Sequence, residues 1–128
     1  ISTPHGVTII DDAFNSNPEG AKEALNCLKE MEARKKVIVT PGMVELGEKE
    51  YEENKNFGGN IAEVCDYAIL VGKKRSRPIF EGLKEKKFPE GNIFVVADLE
   101  EATKVLQTLL QPGDVVLFEN DLPDNYEG

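Results

Sequence analysis

The chain has very little histidine and cysteine, the residues that most zinc sites and nucleophilic catalytic sets require. It contains no tryptophan, one histidine (His5) and two cysteines (Cys27 and Cys65) that show no CxxC or Cys/His ligand spacing. No Ser/His/Asp or Cys/His catalytic set can be built from these residues. A zinc site is not expected either, because His5 has no second ligand nearby. Both cysteines fall within helical patterns, so we expect buried thiols in a reducing cytosol.

Long apolar runs and a basic face are also missing. No stretch approaches the roughly 20 apolar residues that cross a bilayer, and the N-terminus lacks the basic and apolar regions of a signal peptide. The net charge is −9, whereas a nucleic-acid partner needs a basic face to neutralise phosphates. We therefore expect a cytoplasmic, monomeric chain that binds neither nucleic acid nor membrane. Because no Met begins it, we expect it to be trimmed from a longer protein.

The two commonest phosphate-binding signatures are absent as well. No GxGxxG follows the first strand-like segment, and no GxxxxGK[ST] loop occurs anywhere in the sequence. A dinucleotide-binding interpretation therefore has no support. A complete nucleotide-dependent active site is not visible in this chain.

What the chain does contain is a regular alternation of apolar strands and amphipathic helices over 128 residues, a length that fits one domain, 1–128. Such alternation predicts a mostly parallel sheet covered on both faces. Right-handed crossovers then give an α/β, Rossmann-like three-layer domain with a sheet of five or six strands. The predicted strands are 7–11, 36–40, 67–71, 92–96 and 115–118, and the predicted helices are 18–34, 48–64, 77–86 and 99–110.

In open α/β sheets, ligands gather beyond the carboxyl ends of the strands, and the first loop in such a position is rich in polar residues. It contains two carboxylates, Asp11 and Asp12, and two amides, Asn15 and Asn17. Adjacent carboxylates can accept hydrogen bonds from ribose hydroxyls, and amides suit an adenine edge or a carboxylate. A helix cap at Asn17 with Pro18 as the first helical residue is an equally good interpretation. It leaves the other three polar residues unexplained.

Two further loops follow strands of the predicted sheet. The loop Gly42–Gly47 brackets one carboxylate, Glu45, with glycines that permit positive φ angles and close backbone approach. Its methionine and leucine can instead plug the edge of the core. The polar segment 119–126 follows the last strand, and its Asn120 can line the same cleft. A poorly ordered chain end is the alternative there.

One local cluster of positive charge interrupts the acidic sequence. It consists of Lys73, Lys74, Arg75 and Arg77. Surface charge is usually solvated, so an ordinary exposed loop explains the cluster. A patch that faces an anionic substrate is the alternative interpretation of the cluster.

Several segments, taken together and in order, resemble the C-terminal domain of the Mur ligase family. They are DDAFNSNP (11–18), VIVTPGMVELGE (37–48), a strand that ends in VG, and PGDVVLF (112–118). The resemblance is strongest to the members that add D-alanyl-D-alanine to UDP-N-acetylmuramoyl-tripeptide. There the pattern reads roughly D-D-x-Y-N-A-N-P, then L-G-x-M-x-E-L-G, then P-G-D-x-V-L. Three motifs in register over nearly the whole chain make a fairly specific match.

The resemblance implies an ATP-dependent amide ligase of peptidoglycan precursor synthesis with three domains. The first binds the UDP-muramoyl peptide, the central one holds most of the ATP and Mg²⁺, and the C-terminal one closes over ATP and the incoming amino acid or dipeptide. The resemblance assigns nucleotide contacts to Asp12 and Asn15, and substrate contacts to Asn17, Glu45 and Asn120. It places no catalytic residue or metal ligand in this chain, so we expect the isolated domain to be inactive.

Three positions depart from the family pattern. Thr40-Pro41-Gly42 stands for the usual L-G-D, Asn54 stands where a histidine is frequent, and Glu119-Asn120-Asp121 stands for K-G-S. The last change puts a carboxylate in place of a cation. From these departures we expect either an amine substrate other than D-alanyl-D-alanine or a divergent paralogue.

Two other functions remain as alternatives. One is a folylpolyglutamate-synthase-like or other amino-acid ligase domain, although such enzymes usually carry histidine at the position of Asn15. The other is a non-catalytic α/β binding module, for which the pair Asp11 and Asp12 is superficially receiver-like.

Overall fold

Five parallel strands flanked by four helices make up the computed structural model, which describes residues 6–12 and 17–119. The strands are β1 (Thr8–Asp12), β2 (Lys36–Thr40), β3 (Tyr67–Val71), β4 (Ile93–Val96) and β5 (Val115–Glu119). The helices are α1 (Pro18–Glu30), α2 (Glu50–Val64), α3 (Arg77–Glu85) and α4 (Leu99–Leu109). Every strand pair is parallel, which confirms the predicted α/β fold.

The strand order is β1-β5-β2-β3-β4, so the last strand lies inside the sheet. The crossovers through α1, α2 and α3 step in one direction, and the crossover through α4 steps back. Right-handed crossovers therefore put the first three helices on one face and α4 on the other. The two buried clusters match this arrangement, since Leu25, Phe57 and Leu83 pack on one face while Ala102 and Leu106 pack on the other. Within the described residues, no helix combines the length and apolarity needed to cross a membrane.

The first helix ends at Glu30, four residues before its predicted end, because the chain turns to meet the start of β5. Met31 has extended backbone angles, and the Arg34 N–H donates to the Gly113 carbonyl at 2.7 Å. The Arg34 guanidinium also donates to both carboxylate oxygens of Asp114, at 2.8 and 3.1 Å. Asp114 is 1% exposed and accepts a further bond from the Gln111 N–H. The P-G-D segment (112–114) therefore ties the end of the α1–β2 connection to the start of β5.

Helices α2 and α3 are in close backbone contact at two glycines, Gly58 and Gly82. A Cβ atom at Gly58 would lie 2.2 Å from the Ile79 carbonyl oxygen, and one at Gly82 would lie 2.0 Å from the Lys55 carbonyl oxygen. Real Cβ atoms do not come so close to backbone oxygen, so neither position can accept a side chain unless the helices separate. The glycines thus set the spacing of α2 and α3.

Alanine at either position is expected to destabilise the fold. The helix-propensity gain of Gly→Ala, about 1 kcal/mol, is outweighed by overpacking, so Gly58→Ala and Gly82→Ala should each lower the free energy of unfolding by at least about 2 kcal/mol. Gly91→Ala is the control, because nothing lies within 4 Å of its Cβ position, and it should change stability by less than about 0.5 kcal/mol. Urea denaturation measures all three. Equal stability of the three variants would contradict the close approach.

The two cysteines differ in exposure, and the prediction that both are buried is wrong for one of them. Cys65 is buried at the end of α2, whereas Cys27 lies on the solvent face of α1. The helical pattern of α1 puts Ala21, Leu25 and Leu28 inward, and position 27 falls outside that face. Burial raises the pKa of the Cys65 thiol, with a smaller contribution from Asp66.

One thiol should therefore react in the native state and two after denaturation. Ellman's reagent at pH 8 should modify Cys27 quickly. Cys65 should stay unmodified until urea unfolds the chain, because it is sheltered and its raised pKa leaves almost no thiolate. A Cys27→Ser variant should show no fast phase. Rapid modification of two thiols in native protein would show that the end of α2 opens readily.

Candidate functional site

The loops singled out in the sequence begin at neighbouring strand ends. Asp12 at the end of β1 is in register with Glu119 at the end of β5, and Phe118 is in register with Val39 of β2. Neighbouring strands are about 4.8 Å apart. The strands that precede the first loop, the Gly42 loop and segment 119–126 therefore end side by side, as expected for a shared site at the carboxyl edge.

Glu119 lies at the centre of this edge and is fully buried. The sequence prediction put it in a polar tail after the last strand, but β5 extends to include it. Its side chain shares a face with Val115 and Leu117, the face covered by the first three helices. Thr40 is also fully buried at the adjacent strand end, and its hydroxyl accepts a bond from the Gly42 N–H at 3.1 Å. A buried carboxylate thus occupies the position where the family pattern has a cation.

The first loop has a structural role at its C-terminal side. The Asn17 Oδ1 atom accepts a hydrogen bond from the Gly20 N–H at 2.7 Å, and Pro18 begins the helix. The cap interpretation of Asn17 is confirmed, while its substrate contact stays a prediction. Asp12 ends β1 at the edge, and Asn15 lies outside the described residues, as does Asn120 after β5. The ligand contacts assigned to these three also stay predictions.

The structure confirms the core-plugging interpretation of the Gly42 loop, while the ligand role of Glu45 stays a prediction. Met43 is buried and Leu46 packs against the core, so the apolar residues do plug its edge. Glu45 and Val44 are exposed. Glu45 has φ 63°, a left-handed conformation that costs a non-glycine residue roughly 1–2 kcal/mol. Other contacts must hold the loop in this shape, which presents Glu45 to solvent at the edge.

Asn54 of α2 supplies those contacts, and we name its set of hydrogen bonds the Asn54 clamp. Its Oδ1 accepts from the Met43 N–H at 2.8 Å, and its Nδ2 donates to the Met43 and Glu50 carbonyls at 2.9 and 2.8 Å. The side chain is 2% exposed. A Cβ at Gly42, which has φ 90°, would lie 3.1 Å from the Asn54 Oδ1 atom. The sequence marked Asn54 only as a departure from the family pattern.

Replacing Asn54 should loosen the loop and destabilise the chain. Asn54→Leu leaves the Met43 N–H and carbonyl buried without their partner, which should lower the free energy of unfolding by about 2–4 kcal/mol. Hydrogen exchange of the Met43 amide should rise at least tenfold more than exchange in β3. Asn56→Leu is the control on the same helix, since Asn56 is exposed, and it should change both quantities little. Unaltered protection of Met43 in Asn54→Leu would show that the clamp does not hold the loop.

The basic cluster lies between β3 and the start of α3 and is divided between two grooves. Lys74 and Arg75 line a groove of about 280 Å³ beside Asn54 and Tyr51, whereas Lys73 lines a larger groove on the other side of α3. Among residues 6–12 and 17–119, no three His, Cys, Asp or Glu side chains come close enough to hold a metal ion. The described part of the edge offers hydrogen-bonding and charged groups for organic ligands.

Comparison with known proteins agrees with this geometry. The family model described as "Mur ligase, glutamate ligase domain" matches residues 1–119. The chain is 29% identical to the UDP-N-acetylmuramoyl-tripeptide--D-alanyl-D-alanine ligase of Bacillus subtilis, with 93% of this chain and 26% of that protein covered. It is 33% identical to the enzyme of the same name from Mycobacterium tuberculosis, with 89% and 26% covered.

A solved structure is similar throughout the fold. It is the MurF ligase from Thermotoga maritima in complex with ADP, with a TM-score of 0.74 and 27% identity. The similarity covers 94% of this chain and 26% of the Thermotoga chain. This chain therefore spans about a quarter of the length of the relatives it matches.

Proposed function

This chain belongs to the Mur ligase family, and on that premise we propose that it is the C-terminal domain of an ATP-dependent peptide ligase of peptidoglycan precursor synthesis. One observation supports the proposal most directly. The first loop, the Gly42 loop and the end of β5 carry the family-like motifs, and their strands end side by side at one edge. That edge is where an α/β domain presents residues to a ligand.

The proposed contacts follow from the donors and acceptors at this edge. A carboxylate at Asp12 accepts hydrogen bonds from ribose hydroxyls, and the amide of Asn15 pairs with the adenine edge. Asn17, Glu45 and Asn120 contact the incoming amino acid or dipeptide. For Glu45, the Asn54 clamp fixes the position from which this contact is made.

The residues present fit the nucleoside end of ATP better than its phosphate end. The sequence has no phosphate loop, and the described residues include no metal-holding cluster. We therefore propose that another domain of the same protein binds the triphosphate and Mg²⁺, and that ATP, when bound, supplies the energy that activates a carboxylate. This domain binds the nucleoside, orients the amine and excludes water when it closes over the site. Alone it is monomeric and inactive.

The proposed partners are the upstream domains of the same protein, a UDP-muramoyl peptide and an amino acid or dipeptide in the cytoplasm. Two of the departures from the family pattern, Thr40 and Glu119, lie at this edge, so the amine is expected to differ from D-alanyl-D-alanine. Burial of Glu119 at its centre favours an amine substrate or a domain arrangement that does not need the usual cation there.

The full-length protein tests this function. With ATP, Mg²⁺ and UDP-muramoyl peptides of increasing length, it should release phosphate and form an amide with one member of a panel of D-amino acids and dipeptides, detected by mass spectrometry. Asp12→Ala should raise KM for ATP about tenfold, as expected for a lost charge-assisted hydrogen bond. Glu100→Ala, on the exposed side of α4, is the control and should leave KM unchanged.

Two results would count against the proposal. A full-length protein with an intact phosphate loop that ligates no amine to any UDP-muramoyl peptide would exclude the function. Micromolar affinity of the isolated 128-residue chain for ATP, measured by calorimetry, would contradict the assignment of phosphate binding to another domain.

A further inference from the structure

The direction of the crossovers changes between β3 and β4, at the other end of the carboxyl edge from β1 and β5. The chain leaves β3 for α3 on one face, and leaves the neighbouring β4 for α4 on the opposite face. Loops that diverge in this way open a crevice at the carboxyl ends of the two strands. In open α/β sheets this topological switch point is the place where ligands preferentially bind.

A groove of about 520 Å³ lies at this point, and we name it the β3–β4 crevice. Its volume falls within the usual range of small-molecule sites, about 300–1,000 Å³. One wall comes from the β3–α3 loop and the first turn of α3, and the other from the end of β4 and the first turn of α4. The main lining residues are Lys73, Ser76, Arg77, Phe80, Val95 and Glu101.

The lining of the crevice includes apolar side chains that are exposed to solvent. Phe80 forms one side, and Val95 on the other side is 42% exposed, one of only a few large hydrophobic residues so exposed among those described. Val95 lies on β4, which pairs only with β3 in the described sheet. Filling the crevice would remove apolar surface from water, at about 25 cal/mol per Å² buried.

The rim is cationic although the chain carries a net charge of −9. Lys73 makes no ion pair within the described residues, and it is exposed. Arg77 pairs with Glu81 only through an exposed contact at 3.4 Å, which is too weak to neutralise it fully. Among the described residues that line the crevice, Glu101 is the one acidic side chain.

We propose that the β3–β4 crevice binds a small organic anion, whose apolar or aromatic body packs on Phe80 and Val95 and whose phosphate or carboxylate pairs with Lys73 and Arg77. The ligand sits about 14 Å from the end of β5, since β4 is three strand spacings away. The crevice is thus separate from the ends of β1, β5 and β2, where the nucleotide and amine are proposed to bind. It does not depend on the ligase function.

Amide NMR spectra of the ¹⁵N-labelled 128-residue chain test the site with defined probes. Phenyl phosphate and phenylacetate supply the two headgroups on one aromatic body, benzylamine reverses the charge, and inorganic phosphate lacks the body. Saturable shifts are expected at residues 72–80 and 95–101 for at least one of the first two, and their relative affinity identifies the headgroup. Benzylamine and inorganic phosphate should bind at least tenfold more weakly.

Several outcomes of the titration would overturn the proposal. Equal binding of benzylamine would mean an apolar surface without anion selectivity. Equal shifts from inorganic phosphate would mean a charge cluster without a ligand pocket. Shifts that map elsewhere, or none at 10 mM, would mean that the crevice is only a surface depression.

Variants then separate specific pairing from general electrostatics. The double variant Lys73→Gln with Arg77→Gln should weaken the preferred probe at least tenfold, and Glu101→Gln should strengthen it about threefold. Lys104→Gln removes a positive charge from an exposed site of α4 outside the crevice and should leave the affinity unchanged. Unaltered amide positions away from the crevice verify folding. Unchanged affinity in the double variant, or equal loss in Lys104→Gln, would refute specific recognition by Lys73 and Arg77.

Discussion

Insertion of β5 between β1 and β2 is the constraint on which the rest of the structure depends. All five residues of β5 are buried, and β1 pairs only with β5 in the described sheet. The loop after β1 therefore reaches the loop after β2 only through the last strand of the chain. Asp114 immediately precedes the strand, and its carboxylate is held by Arg34 and by the Gln111 N–H. The contact between Arg34 and Asp114 at the start of β5 thus helps to position the opposite end of the strand, where the motifs meet.

Most elements were predictable because their signals are local. β2 and β3 match their predicted limits at both ends, since an apolar β-branched run there stops at a proline-glycine pair or at Gly72. The caps at Asn17 and Asp98 are likewise local hydrogen bonds, each spanning three residues. The strand order was not predictable, because the insertion of β5 is decided by pairing between residues more than 70 positions apart. The early end of α1 has the same origin.

In the candidate site, too, features encoded by short segments were predicted, and features that depend on distant contacts were missed. Asn17 and the Gly42 loop were found from turn and cap chemistry, which short segments encode. The Asn54 clamp was missed because a buried asparagine in a helix gives no sign of the backbone that it contacts eleven residues away. Glu119 was placed in a tail because acidic residues usually end a buried strand, and only the register with Asp12 shows that it lies within the sheet. The hydrophobic pattern of the sequence shows where a strand ends. Which polar residues near that end become buried depends on contacts with distant segments.

Charge distribution sets the two ends of the carboxyl edge apart. Asp12 and Glu119 bring acidic residues to the β1–β5–β2 end, while Lys73, Lys74 and Arg75 bring cations to the loop after β3. An acidic chain repels anions over most of its surface, so a local basic loop has a large effect on where an anion first makes contact. The loop faces two grooves, with Lys74 and Arg75 beside the Asn54 clamp and Lys73 in the crevice. Neutralising Lys73, Lys74 and Arg75 together would change the charge of both grooves at once. Substituting Lys74 or Arg75 separately from Lys73 would distinguish a ligand of the groove beside the Asn54 clamp from a ligand of the crevice.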